Sequence, residues 1–141
     1  MIKLLSITIV ILALSFSYAY PAGIILAHDD GQWGNQDPVI RDWYKALMQP
    51  DAPTASCCGE ADAYWCDSIN VKAGKTYCTI TDDRPDQPLG RPHVEIGSVI
   101  EIPDNKLKWD RGNPTGHSIV FLGRGGWQNP YVFCFVQGSG I

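Results

Sequence analysis

A small, mainly β domain carrying one N-terminal helix and tied by disulfides is the fold class that three features of the sequence predict. One amphipathic stretch near residues 37–48 is followed by about five short runs of β-branched and aromatic residues. Nowhere do strand-like and helix-like stretches alternate, which excludes a parallel nucleotide-binding sheet. Five cysteines sit in a chain of 141 residues, as expected of a disulfide-stabilised domain from an oxidising compartment. A small antiparallel sheet, a sandwich and a barrel all satisfy this pattern, with the helix packed across one side or end.

Residues 1–27 read as a signal peptide. Lys3 precedes an unbroken run of apolar and small residues from Leu4 to Phe16, and cleavage is expected after Ala19 or after Ala27. Residues 28–141 then form a single domain, and no stable membrane insertion is expected once the signal is removed. Pro21 and Gly23 interrupt what would otherwise be a spanning helix.

Asp37-Pro38 opens the helix, because Asp caps a first turn and Pro at the first helical position forfeits no hydrogen bond. Val39, Ile40, Trp43, Leu47 and Met48 recur at helical spacing as its apolar face. Pro50 and Pro53 end it. Tyr64 to Val71 and Thr76 to Thr81 flank a turn at Lys72-Ala73-Gly74-Lys75 and read as a hairpin. Asp82 to His93 holds three prolines and reads as a loop, its Arg84 pairing with a neighbouring Asp in a solvated turn. Ser98 to Ile102 is a short strand, Asp104 to Thr115 is irregular, and His117 to Leu122 and Tyr131 to Val136 close the sheet.

The hairpin register constrains the cysteines. A two-residue turn at Ala73-Gly74 sets Ile69 opposite Cys78 and throws Cys66 onto the other face, so a Cys66–Cys78 bridge needs a bulge or a break in pairing. By elimination Cys134, on the last strand, is the long-range partner for Cys57 or Cys58. The odd count leaves at least one cysteine over.

Ser56-Cys57-Cys58-Gly59-Glu60-Ala61-Asp62-Ala63-Tyr64, the Asp82 to His93 loop, Asn113-Pro114-Thr115-Gly116-His117 and Val132-Phe133-Cys134-Phe135-Val136 resemble a group of small exported bacterial proteins of undefined function. The resemblance covers nearly all of the mature chain and implies export and a cysteine framework, with no activity attached. Cys66 and Cys78 are less typical of that group, which implies a contact particular to this chain.

Three chemistries compete for the candidate residues. A binding or structural module is the leading reading. Trp109 and Trp127, in loops with polar neighbours, and Asn113, in the turn before His117, are its candidate contacts, while Trp43 and Trp65 read as core. A cell-wall-directed cysteine hydrolase would use Cys58 or Cys57 as nucleophile and His117 as base. That layout is similar to cysteine peptidases that trim cell-wall peptides, except that Gly59 and the acidic Glu60 and Asp62 follow the cysteines and would raise the thiol pKa. A copper site would need His28 at the mature N-terminus, joined by His93 or His117, and would resemble the histidine clamp of copper-dependent polysaccharide oxygenases. No other cofactor is expected.

The charge balance narrows the partners. Eleven basic residues against fifteen acidic ones give a net charge of −4, and the basic residues are scattered, which excludes the phosphate-neutralising stripe of a nucleic-acid binder. An envelope glycan, a peptide or a protein remains.

Overall fold

A computed structural model of the chain describes residues 36–123 and 130–138. The signal segment, both cleavage positions, Trp33, His28 and Trp127 lie outside the described residues.

Helix α1, Pro38–Ala46, begins as its sequence dictates: the Asp37 carboxylate accepts the Val39 amide at 2.8 Å and Pro38 occupies the first turn. Its buried stripe is Ile40, Trp43, Tyr44 and Leu47, at spacings of three and four. The expected face is corrected at both ends. Val39 is 66% exposed, and Met48 lies past the last helical turn in an isolated bridge to Ser56.

Seven strands follow: β1 Ala63–Trp65, β2 Ser68–Lys72, β3 Lys75–Thr79, β4 Val99–Ile102, β5 Leu107–Lys108, β6 Ile119–Gly123 and β7 Tyr131–Val136. They make two sheets, one ordered β1-β6-β7-β5 and the other β2-β3-β4, with no closed barrel. Every pairing is antiparallel except β5 with β7.

The domain is therefore layered as helix, four-stranded sheet, three-stranded sheet. Alternation along β6 divides the work: Ile119 and Phe121 pack on Tyr44 and Leu47, while Val120 and Leu122 pack on Ile100 and Ile102 of the second sheet. Register shifts between Phe121 and Leu122, so that Phe133 is an extra residue on β7 and both Phe133 and Cys134 join the helix side. The core is thus two apolar layers sharing one sheet.

The stretch expected as a single strand from Tyr64 to Val71 is two strands in two different sheets. Trp65 pairs with Ile119 and Ser68 with Thr79, and the chain crosses between the sheets at Cys66-Asp67. This crossing is the break in pairing that a Cys66–Cys78 bridge requires. The hairpin register is otherwise the expected one, Ile69 opposite Cys78, with Ala73 and Gly74 both at positive φ in the turn. Cys66 bonds Cys78, and Cys57 bonds Cys134 across the helix layer. Two disulfides mark a small domain suited to an oxidising compartment.

Candidate functional site

The double-cysteine stretch leads from α1 into the first sheet. The Cys57 amide donates to Leu47 O at 2.9 Å, and its sulfur, fully buried, is joined to Cys134. Cys57 therefore offers no thiol, which corrects its candidacy as a nucleophile. Cys58 is the free cysteine among the described residues, held at φ 78° and buried. Burial pushes its thiol up to about 11, with the Asp62 carboxylate adding to the shift through its charge and a hydrogen bond. Such a thiol stays protonated where a catalytic cysteine must ionise.

His117 answers to a different partner. Its Nδ1 lies 2.8 Å from Asp67 Oδ2, and its ring stacks on Trp65 with centroids 3.8 Å apart and planes 9° from parallel. Asp67 also accepts the Ser118 amide at 2.8 Å, so the crossover between the sheets is pinned to the start of β6. No hydrogen bond links His117 to Cys58.

His93 is exposed and lies between two carboxylates, Asp86 at 2.6 Å from Nδ1 and Glu95 at 3.1 Å from Nε2, whose hydrogen bonds raise its pKa. Among the described residues no group of three or more His, Cys, Asp or Glu side chains is placed to hold a metal ion.

Asn113 is a turn brace and not a surface contact. It is 5% exposed; its Nδ2 donates to His117 O at 2.8 Å, and its Oδ1 accepts the Thr115 amide at 3.0 Å and hydroxyl at 2.7 Å. Its candidacy for ligand contact is corrected accordingly, since both ends of its amide are occupied.

The loop expected to be a solvated turn contains two buried charges, Asp82 and Arg91. Arg84 does pair with Asp82, at 2.7 Å, but Asp82 is buried and Arg91 is buried against it. Both guanidiniums also donate to Ala63 O, and each lies over an aromatic ring, Arg84 on Trp65 and Arg91 on Tyr64. Burial alone would raise the Asp82 pKa, but hydrogen bonds from Arg84, Arg91 and the Trp65 amide outweigh it and hold the carboxyl far below the usual carboxylate range. Glu60, buried beside Arg84, is raised by burial and only partly relieved by the two arginines. Every charge here has a partner, so the cluster clamps the 82–93 loop to β1 and presents no open reaction centre.

An open site exists between the sheets. Ile69 and Val71 on β2 and Thr76 on β3 form one wall of a groove of about 240 Å³. Leu107 to Trp109 at β5, with Phe135 and Gln137 from β7, form the other. Val71 shares a sheet face with Ile69, yet Ile69 packs on the core and Val71 is 67% exposed. The inner face of the smaller sheet thus continues beyond its cover. Trp109 stands at this mouth 82% exposed, the most exposed large apolar side chain among the described residues. Trp43, by contrast, packs beside the core with its Nε1 donating to Asp110 at 3.0 Å, and Trp65 is half-buried under His117 and Arg84.

Sequence reasoning singled out Trp109 and missed the groove that Trp109 borders. Alternation marks Ile69 and Val71 on β2 as one face, but the point at which the covering sheet stops short of Val71 leaves no trace along the strand.

No family model, curated protein or solved structure matches the chain.

Proposed function

We propose that this domain is an exported binding module whose ligand site is the groove between the two sheets, with Trp109 as its aromatic wall. The single observation that carries the reading is Trp109 itself. A soluble domain gains nothing in stability from an indole left in water, and a large exposed apolar side chain bordering an apolar concavity is the usual form of a recognition surface. Membership of the group of small exported proteins that the cysteine and Asn113–His117 motifs resemble goes with the same proposal.

The lining selects among partners. Ile69, Val71, Leu107 and Phe135 suit an apolar ring or branched chain better than the hydroxylated faces of a glycan. The hydrolase reading finds no support at Cys58, whose raised pKa and Asp62 neighbour are opposite to what nucleophilic attack requires.

The test is binding of 3-phenylpropanol, a neutral single-ring probe, followed by calorimetry or NMR. Wild type should bind it, and Trp109→Ala should lose most of that binding with an unchanged melting temperature, since so exposed a side chain contributes little to folding. Equal binding by the two proteins would refute the assignment.

A further inference from the structure

A ladder of alternating charges runs from the surface into the 82–95 segment. Glu95, His93, Asp86, Arg91 and Asp82 follow one another, each within ion-pair distance of the next. The inner end is fixed: Arg91 is buried, its guanidinium holds Asp82 and Asp86 together, and an arginine is always charged. The outer end rests on a histidine, the one cation of this ladder that can lose its proton near neutral pH.

The geometry at His93 requires that proton. Nδ1 lies 2.6 Å from Asp86 Oδ2 and Nε2 lies 3.1 Å from Glu95 Oε1, so both ring nitrogens face carboxylates. A neutral imidazole carries a single N–H and can donate to one of them; its other nitrogen would turn a lone pair toward an anion. Only the imidazolium donates to both. The two hydrogen bonds accordingly raise the His93 pKa from its ordinary 6.5, the Asp86 bond contributing most.

The bridge closes a short span of chain. Arg91 anchors one side, and the Gly97 amide, donating to Ile80 O at 2.9 Å, anchors the other. Between them Pro92 O accepts the Tyr64 hydroxyl at 2.6 Å and Val94 packs on the core, while Ile96 is exposed and Glu95 is tied back to Asp86 through His93. We propose that His93 is a pH-sensitive latch on residues 93–96: protonated, it bridges Asp86 and Glu95 and holds the span closed; neutral, it keeps Asp86 and releases Glu95. Because the folded pKa is raised, the contribution of the latch is fully present below the ordinary value of 6.5 and is lost as pH rises through the higher folded value. It is independent of the groove.

Two measurements test the latch. Proton NMR of the histidine rings from about pH 5 to about pH 9 should give His93 a midpoint above 6.5, and Glu95→Gln should lower that midpoint. Hydrogen exchange, corrected for its intrinsic pH dependence, should show protection of the Ser98 amide, which donates to Glu95 O at 3.0 Å, falling roughly threefold between about pH 5.5 and about pH 8.5, the scale of an exposed ion pair. The Cys57 amide, bonded to Leu47 O in the helix layer, should keep its protection. In His93→Gln the Ser98 amide should hold one level of protection over the same range; this variant retains His117 and Glu60, and so separates their titration from that of His93. A His93 midpoint at or below 6.5, or one unmoved by Glu95→Gln, would overturn the bridge. Ser98 protection that is constant with pH in wild type, or that falls equally in His93→Gln, would overturn the latch.

Discussion

Replacing Cys57 and Cys134 together by alanine removes the bridge that fastens the helix layer to the last strand, over a sequence separation of 77. The loop-closure entropy such a bridge removes from the unfolded chain is worth about 4.5 kcal/mol at 25 °C. The Cys66–Cys78 bridge closes a separation of only 12, and the same relation gives about 2.8 kcal/mol. All four sulfurs are fully buried, so the cavity left by each alanine pair is of similar size and the difference between the pairs reflects loop length. Cys58 remains in the first variant, but with Cys134 gone it has no thiol to pair with. Urea unfolding followed by tryptophan fluorescence measures both. With a slope near 1.5 kcal/mol per molar, the midpoint should fall by roughly 3 M for the long bridge and roughly 2 M for the short one. A smaller loss for the long bridge than for the short one, or a loss below about 1 M for either, would refute the reasoning that these bridges stabilise the domain by closing loops.

Two further outcomes follow from the electrostatics. Cys58 should react slowly with iodoacetamide in the native protein, at a rate that still rises with pH above the ordinary thiol range, because its pKa is raised to about 11; a rate that levels off near neutral pH would show a reactive thiolate instead. Asp82→Asn should cost about 3–5 kcal/mol, since it strands Arg84 and Arg91 in a buried site. The acid limb of stability supplies an independent reading of the same residue. The folded-state pKa of Asp82 is depressed, so its contribution is fully present above the unfolded carboxylate value of about 3.9 and is lost as pH falls from there toward the lower folded value. Wild type should therefore lose stability more steeply below about pH 4 than Asp82→Asn does; parallel acid limbs would contradict the assignment.

Much of the fold was legible because local chemistry decided it. Asp37-Pro38 starts a helix wherever it stands before an apolar period, and Ala73-Gly74 sets a two-residue turn whose register follows from counting. The last strand likewise left Cys134 as partner for the double-cysteine stretch, where Cys57 is the residue bonded. Other features depend on what packs above a residue. The Tyr64–Val71 run has no breaker at Cys66-Asp67, because the switch between sheets is held from outside by Asp67 bonding the Ser118 amide and His117. β5 is only two residues long and pairs in parallel with β7, too short to show a period. Asp82 and Arg84 read as a solvated turn because their burial depends on β1, where the Trp65 ring covers the Arg84 guanidinium and the Trp65 amide bonds Asp82. Asn113 looked like a surface contact for the same reason, since the carbonyl of His117 that occupies it is reached only through the folded turn. The groove exists where one sheet outruns another, which no pattern along a single strand records.

The most direct test of a binding role is to map, by amide and indole NMR shifts, where 3-phenylpropanol contacts the labelled protein. The largest changes should fall on Val71, Thr76, Leu107 and the Trp109 indole and saturate together with one affinity. Changes spread evenly over the surface, or centred near Cys58 with the groove unmoved, would contradict it.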